Sequence, residues 1–396
     1  PAYRYASRRY NPAAMQEETD SMRIMVEATG ASYRHTPLWA ELRGGVLPRE
    51  PAALQQGGEF IPAQVVQTNG KRYLVWLEPE LPRGKSKLYV VRPNPRPVEG
   101  YQHTQTENAL QIRHQGKPFT AYVFRGAPKP YLYPVMGPTE KPITRHFPMQ
   151  RVPGETTDHP HHRSIWFTHG EVNGIDFWTE GNNRGSIVHQ ALEAVETGPV
   201  LARWLARNEW RAPDGKPILG ELTEIICFHA PDSRWIDYTI SLTALDADVK
   251  FGDTKEGTFG VRVASSMEVT RNAGGQIVNA AGQRDREAWG KRATWCDYTG
   301  LIDGETVGIA IFDHSANLRH PTYWHVRDYG LFAVNPFGIH DFVPGTPKGE
   351  GDYTLKRGDT LTFRYRLWLH KGRTDEAGVA GQYEAYRNLP RITVRP

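Results

Sequence analysis

The 396-residue sequence predicts a mainly all-β protein, with a large antiparallel β-sandwich, a small N-terminal β-sandwich and helices at the chain ends. Two stretches, "WIDYTISLTAL" and "TLTFRYRLWLH", alternate apolar and polar residues, which is typical of antiparallel strands with one wet face. The predicted inward residues are Ile236, Tyr238, Ile240 and Leu242 in the first and Leu361, Phe363, Tyr365 and Leu367 in the second. No glycine-rich phosphate loop or alternating strand–helix pattern occurs, which argues against Rossmann and TIM-barrel folds.

The pattern along the chain predicts three segments. Residues 1–33 contain "AAMQEETDSMRIMVEATG" and are expected as a polar helix or a loose arm. Residues 34–97 are expected as the small accessory sandwich, with strands at "LWAEL", "EFIPAQVVQT", "RYLVWLE" and "KLYVVRP" and a linker at "NPRP". Residues 98–396 form the large domain, which ends in a helix at "TDEAGVAGQYEAYRNL", where Asp375 and Glu376 suit the helix start.

Composition limits the partners. The net charge of +4 gives no reason to expect nucleic acid, and no apolar run approaches the ~20 residues of a membrane span. The 11 Trp, 18 Tyr and 14 Phe favour a carbohydrate partner, although β cores are themselves rich in aromatic residues.

A chain that begins with Pro1 is compatible with a removed leader, so a periplasmic or extracellular location is favoured. Cys227 and Cys296 are expected as two buried thiols, with a single disulfide as the alternative.

The stretch "TTDHPHHRSIWFTHGEVNGIDFWTE" concentrates proton-transfer groups. Its proline predicts a loop that leads into the strand "SIWFTHG". Histidine suits acid–base chemistry near neutral pH, and His159 with His161 also has the spacing of a metal-binding pair whose further ligand would come from elsewhere. The alternative is that these imidazoles only hydrogen-bond the backbone. The candidates here are His159, His161, His162, Arg163, Trp166, Asp176 and Trp178.

Three other stretches are candidates. "DTKEGTFGVRVASS" is a charged turn between strands, either solvated or aiming Glu256 and Arg262 into a site. Residues 317–342 are expected as a long loop, which is typical of a functional segment, unless its own polar groups satisfy one another. That loop contains His320, Trp324, His325, Arg327, Asp328, Asn335 and His340, with Tyr323, Trp324 and Tyr329 as a possible stacking platform. "KPYLYPVMGPTEKPITRHFPM" offers Tyr131, Tyr133, Arg145 and His146 as pocket-rim or packing residues. No signature of a serine or cysteine nucleophile occurs.

Taken in order, "KPYLYPVMGPTEKPITRHFPM", "DHPHHRSIWFTHGEVNGIDFW", "DTKEGTFGVR" and "NLRHPTYWHVRDYGLFAVNPFG" resemble the DUF6807 family, often labelled methane oxygenase PmoA-like. The resemblance covers about residues 101–371. It implies a galactose-mutarotase-like supersandwich, a fold shared by aldose epimerases, polysaccharide lyases and some glycoside hydrolase domains. The family also resembles proteins encoded beside sugar oxidoreductases and polysaccharide-degradation genes.

The leading hypothesis is a carbohydrate-active enzyme that cleaves a glycosidic bond by hydrolysis or elimination, with uronic-acid or keto-sugar glycosides as attractive substrates. The predicted catalytic residues are His159, His161, His162, Glu256 and His325. The predicted substrate ligands are Arg163, Trp166, Asp176, Trp178, Arg262, His320, Trp324, Asn335 and His340. A sugar mutarotase or epimerase, a non-catalytic sugar-binding protein and a metal enzyme using His159 and His161 are the alternatives. The leading hypothesis needs no cofactor, and the sequence leaves the sugar and the oligomeric state open.

Overall fold

The structure is a computed structural model that describes residues 22–43, 48 and 50–395. The described chain divides into two compact units. One runs up to Val98 and includes the end of the chain from Asn388, and the other is Glu99–Arg387. Residues 1–33 were predicted to form a helix or arm, and the part of this prediction that concerns residues 1–21 lies outside the described residues. Beyond that point the prediction differs from the structure, because Arg23–Glu27 forms a strand.

The smaller unit is one antiparallel sheet of seven strands, where the sequence suggested a sandwich. Its strands are β1 (Arg23–Glu27), β2 (Tyr33–Glu41), β3 (Ala52–Gln56), β4 (Glu59–Thr68), β5 (Lys71–Leu81), β6 (Ser86–Pro93) and β25 (Arg391–Arg395). Their order is β2-β5-β4-β3-β6-β1-β25. The four strands expected from the sequence are present as β2, β4, β5 and β6, while the C-terminal β25, expected in the large domain, pairs with β1.

The larger unit contains two eight-stranded antiparallel sheets. Sheet 1 has the order β21-β22-β17-β11-β10-β9-β8-β7, and sheet 2 has the order β12-β13-β14-β15-β24-β20-β19-β18. The sheet 1 strands are β7 (Tyr101–Gln105), β8 (Ala109–His114), β9 (Lys117–Val123), β10 (Tyr131–Val135), β11 (Ile165–His169), β17 (Gly257–Arg262), β21 (Tyr323–Val326) and β22 (Leu331–Asn335). The sheet 2 strands are β12 (Ser186–Thr197), β13 (Leu201–Arg211), β14 (Pro217–Ala230), β15 (Ser233–Ala244), β18 (Gln276–Asn279), β19 (Trp295–Ile302), β20 (Glu305–Asp313) and β24 (Thr360–Lys371).

The remaining elements are short. β16 (Val249–Phe251) pairs with β23 (Tyr353–Leu355). The helices are α1 (Ile339–Phe342), α2 (Thr374–Ala377) and α3 (Val379–Arg387), with 3-10 turns at Ser265–Met267, Val269–Arg271 and Asp285–Ala288. Among the described residues, none of the helices has the length and apolar character that crossing a bilayer requires.

The apolar core of the larger unit lies between sheets 1 and 2. Rings from the two sheets meet there, such as Phe259 of β17 and Tyr365 of β24, whose centroids are 4.9 Å apart. All eight predicted inward residues of the two strand motifs are buried. Each fully buried large side chain of this kind contributes roughly 1.5–3 kcal/mol. Burial alternates along β15 from Ile236, whereas in β24 the alternation ends at Tyr365, because Arg366 and Trp368 are buried as well. The mainly β prediction, with large antiparallel sheets and helices at the C-terminus, is therefore confirmed.

Three local features refine the sequence analysis. The predicted C-terminal helix is split into α2 and α3 at Gly378, whose φ of 76° places it in the left-handed region that ends a helix. The prediction of a long loop over residues 317–342 is wrong, because this segment contains the β21–β22 hairpin and α1. Cys227 and Cys296 are both free and buried, as expected for two thiols.

Candidate active site

The candidate site lies on the face of sheet 1 that is turned away from sheet 2. Along β11, Ile165 and Phe167 point into the core between the sheets, so Trp166 emerges on the opposite face. There it packs with Tyr131 and Trp178 in a second apolar cluster. The Trp166 and Trp178 rings are fully buried, with centroids 5.2 Å apart. They form a floor beneath polar residues and leave no ring surface for a sugar, which was the role predicted for them.

The segment Asp158–Arg163, here called the histidine loop, covers this floor. The buried His162 ring stacks on Trp166 at 5.3 Å and meets Trp178 edge-on at 5.7 Å. His161 is half-buried beside it, with its ring centroid 4.5 Å from that of His162. The predicted loop therefore brings its imidazoles to one place above the sheet.

A continuous series of ring contacts, here called the ring row, connects the histidine loop with β21. The ring centroids are 4.7 Å apart for His162–His159, 5.1 Å for His159–Tyr329 and 6.5 Å for Trp289–His325. Between Tyr329 and Trp289 lies the Arg327 guanidinium, whose Cζ is 5.5 Å from the Tyr329 centroid and 5.7 Å from the Trp289 centroid. The row places side chains from the two predicted histidine-rich stretches, about 160 residues apart in sequence, on one continuous surface.

Asp158 joins two buried arginines in an ionic cluster, although its own side chain is 38% exposed. Arg145 Nη1 donates to it at 2.6 Å and Arg262 Nη2 at 2.8 Å, and both arginine side chains are fully buried. Burial alone would raise the pKa of Asp158, but the charge of Arg262 and the hydrogen bond from His159 hold that pKa at about 2. Arg262 also contacts the buried Glu268 at 3.3 Å. Arg262 was predicted as a substrate ligand, but it is buried and its charge is already balanced.

Arg163 is balanced in the same way. Its Nε and Nη2 atoms donate to the two carboxylate oxygens of Glu180, both at 2.7 Å. Lys129 donates to the same carboxylate at 2.9 Å, and burial lowers the pKa of Lys129 to about 8 against the opposing charge of Glu180. The bidentate pair therefore anchors the end of the histidine loop and does not offer a free guanidinium to a substrate.

His161 differs from its neighbours because none of the described residues hydrogen-bonds its ring. Burial, together with the positive charges of Lys129 and His159, lowers the pKa of His161 to about 4. The imidazole is thus neutral near pH 7, and both ring nitrogens are available to a ligand. His161 is the member of the histidine loop best placed to accept a proton.

His325, on β21, is fixed in one tautomer. Its Nδ1 donates to the backbone carbonyl of Lys255 at 2.6 Å, so its Nε2 carries the lone pair. Burial lowers the pKa of His325 to about 3, and the hydrogen bond to Lys255 opposes that shift. Asn335 donates to the carbonyls of Thr254 and Lys255 at 2.8 and 2.9 Å and so holds the turn that receives His325. Asn335 is a positioning residue for this turn, although the sequence suggested a substrate ligand.

Glu256 lies in the same turn, just before β17. Burial raises its pKa, and the charge of Lys255 lowers it in part. Lys255 Nζ is 3.6 Å from the Glu256 carboxylate, and about a third of the Glu256 side chain is exposed. Glu256 directly follows Lys255, whose carbonyl accepts from His325, so Glu256 and His325 meet at the same turn. A carboxyl of raised pKa beside neutral imidazoles suits a proton donor.

Four predicted ligands have structural roles elsewhere. Trp324 is fully buried in the core between the sheets and donates to a backbone carbonyl at 2.9 Å. His320 Nδ1 bonds the buried Asp313 at 2.7 Å. His340 donates its backbone N–H to Asp253 and its ring N–H to a backbone carbonyl of its own loop. Asp176 caps its own turn by accepting from the backbone N–H of Trp178 at 2.8 Å.

Glu268 and Trp289 were not singled out from the sequence, and Arg327 was named without a role. Arg145 was named only as a pocket-rim or packing residue and Tyr329 only for a stacking platform. Arg145 and Glu268 complete the ionic cluster, and Trp289, Arg327 and Tyr329 belong to the ring row. Arg327 and Tyr329 stand in a quoted motif, but they lie in the turn after the end of β21, where strand alternation does not indicate which way a side chain points. Trp289 lies in a stretch without any signal. Among the residues the structure describes, no group of three or more His, Cys, Asp or Glu side chains is arranged to hold a metal ion, and His159 Nδ1 is bonded to Asp158.

Comparison with known proteins agrees with the resemblance carried by the motifs. The model of the DUF6807 family, described as a family of unknown function, matches residues 109–384. The chain belongs to this family. Among solved structures, a galactose mutarotase-like protein from Lactobacillus casei ATCC 334 aligns with a TM-score of 0.32 and 8% sequence identity, over 68% of this chain and 100% of that protein. No curated protein matches the chain.

Proposed function

We propose that this DUF6807 protein is a carbohydrate-active enzyme that cleaves a glycosidic bond by proton transfer, with elimination as the favoured route. The observation that carries the proposal is the combination of two neutral imidazoles with unpartnered nitrogens, His161 and His325, and one carboxyl of raised pKa, Glu256. The half-buried ring of Trp289, whose centroid is 6.5 Å from that of His325, is suited to the C–H face of a sugar.

The state of the carboxylates favours elimination over hydrolysis. A glycoside hydrolase of the usual type needs two available carboxyl groups. Among the described carboxylates near the histidine loop, Asp158 and Glu268 are neutralised by arginines, and Glu180 by Arg163 and Lys129. Asp176 accepts hydrogen bonds within its own turn and pairs with Arg184. Glu256 keeps only the longer contact with Lys255.

In the proposed reaction, His161 removes the proton from a sugar carbon next to a carboxylate or ketone. The electrons of that C–H bond form a C=C bond, the adjacent C–O bond breaks, and Glu256 protonates the leaving oxygen. His325 Nε2 accepts a hydrogen bond from a sugar hydroxyl.

The test is a product analysis by mass spectrometry with oligosaccharides, uronates and 3-keto-glycosides. We expect turnover by the wild type and by the control His103→Ala, which removes an exposed histidine of β7. Because His161 is the base, His161→Ala should lose at least ~100-fold in rate. Products that together gain one water would indicate hydrolysis, and an epimer without cleavage would indicate a mutarotase or epimerase. Saturable binding without turnover, unchanged in His161→Ala, would indicate a sugar-binding protein.

A further inference from the structure

We infer that Arg327 is the substrate's anion-binding residue and that the enzyme therefore acts on sugars that carry a carboxylate, such as uronic-acid glycosides. This inference deepens the proposed function and rests on it for the reaction, but not for binding. Arg327 lies in the turn of the β21–β22 hairpin, where its N–H bonds the carbonyl of Leu331 at 2.7 Å and its carbonyl accepts from Gly330 at 3.0 Å. It is two residues after His325, and both side chains contact the Trp289 ring, at 5.7 Å for the Arg327 guanidinium and 6.5 Å for the His325 ring.

The Arg327 guanidinium has no carboxylate partner among the described residues. It lies 5.7 Å from the Trp289 ring centroid and 5.5 Å from that of Tyr329, and these rings are its contacts. Its neighbour Asp328 is unavailable, because Asp328 accepts from Arg286 Nε at 2.6 Å. By contrast, Arg145, Arg163 and Arg262 all bind carboxylates of the protein. The site thus contains a half-buried, oriented cation whose charge is not balanced.

This arrangement fits a carboxylate for chemical reasons. A guanidinium whose face lies against aromatic rings keeps its N–H edge free for a bidentate hydrogen bond, which matches the geometry of a carboxylate. Neutralising a carboxylate also makes the C–H bond beside it more acidic, which is what an elimination requires. In addition, the bound anion would raise the depressed pKa of His325, whose ring contacts the same Trp289 ring as Arg327.

A binding experiment on the full chain tests the inference without requiring turnover. The probes are the methyl glycosides of glucuronic, galacturonic and mannuronic acid, each paired with its neutral parent hexoside, and binding is measured by calorimetry. We expect at least one acid to bind about 10- to 100-fold more tightly than its neutral partner. Arg327→Gln should abolish that preference, and Arg327→Lys should restore part of it.

The matched control is Arg292→Gln. Arg292 also lies over a tyrosine ring, 5.5 Å from the centroid of Tyr323, but its guanidinium donates to the backbone carbonyl of Pro321. This variant should keep the preference for the acid, and circular dichroism checks that all variants fold. Equal binding of acid and neutral partners, no binding of any probe, or a preference that survives Arg327→Gln would overturn the inference. An Arg327-dependent preference without turnover of uronate oligosaccharides would support the anion site and count against the proposed reaction.

Discussion

At the scale of single residues, the site separates charges that stabilise the fold from groups that remain available to a ligand. Asp158 forms ion pairs with Arg145 and Arg262. Both arginine side chains are fully buried, so water cannot take the place of the carboxylate if it is removed. The side chains of His161 and Arg327 lie near this cluster without hydrogen-bond partners among the described residues. The fixed cluster holds the histidine loop in place, and its strength can be measured separately from catalysis.

We expect Asp158→Asn to destabilise the protein, because it leaves two buried guanidiniums with one fewer anion. Removing one partner of a buried pair costs roughly 3–5 kcal/mol. Since the Asp158 side chain is 38% exposed and Glu268 remains with Arg262, we expect about 2 kcal/mol at neutral pH. Urea unfolding followed by tryptophan fluorescence measures this difference.

The pH dependence checks the cause. Because the folded pKa of Asp158 is about 2, below its ordinary value of about 3.9, its stabilisation is complete above that ordinary value and is lost as the pH falls through about 2. The difference between the wild type and Asp158→Asn should therefore shrink at acid pH. Asp303→Asn is the control, since Asp303 is an exposed partner of Lys141. Equal unfolding midpoints for the two variants would contradict the buried-cluster explanation.

The sequence showed which residues cluster along the chain, but not which side chains are buried or paired in the folded protein. The clustering of His159, His161 and His162 was visible because they are neighbours in the chain. The burial of Trp324 was not, because the same sequence is compatible with either strand face until its pairing with β22 is known. Arg327 was named without a role, because the absence of a carboxylate partner is a property of the folded neighbourhood alone.

At the scale of elements, two features of β11 and β17 shape the floor of the site. Side chains along β11 alternate between the core and the site, and β17 has a glycine where a side chain would meet Trp166. Gly260 of β17 is directly opposite Trp166 of β11. A Cβ at Gly260 would lie 2.6 Å from Cζ2 of the Trp166 ring, closer than real contacts allow. The glycine therefore lets the indole lie flat against the sheet, where it supports His162.

We expect Gly260→Ala to displace the Trp166 ring and destabilise the protein by about 1–3 kcal/mol, as overpacking typically does. Turnover should also fall, because the histidine loop loses its floor. Thermal unfolding and the uronate assay measure the two effects. The control is Gly220→Ala on β14, where the nearest atom is a flexible Leu245 methyl at 3.5 Å. A Gly260→Ala protein as stable and active as the Gly220→Ala protein would show that the floor does not set the loop.

At the scale of the whole molecule, the sequence predicted the mainly β class and the strand type but not the strand order. Residues of β15 and β24 alternate clearly in the sequence, yet nothing local indicates that Tyr238 pairs with Tyr365. Such pairing depends on the complementarity of distant strands and on loop closure. For the same reason, the motifs suggested that the two histidine-rich stretches meet, but they contain no information on the ring row that joins them.

Buried histidines give the whole molecule a predictable response to acid. Burial is the main cause that lowers the pKa to about 4 for His114, His161 and His169, to about 3 for His229 and His325, and well below the ordinary value for His162. The unfolded chain, with pKa values near 6.5, takes up these protons first. The stability these groups contribute is therefore complete above about pH 6.5 and is lost as the pH falls toward 4 and 3.

We expect the free energy of unfolding to fall between pH 6.5 and 4 by up to about 1.4 kcal/mol per pH unit for each such histidine. His229→Asn should reduce this slope by up to about 1.4 kcal/mol per pH unit, because the unfolded chain then takes up one proton fewer. The His229 ring stacks on that of His114 at 4.0 Å. Urea titrations at half-unit pH steps measure the slope, and the exposed His103→Asn should leave it unchanged. If His229→Asn and the wild type lose stability in parallel, then His229 is protonated in the folded state, and the acid sensitivity must come from the other buried histidines or from the paired carboxylates.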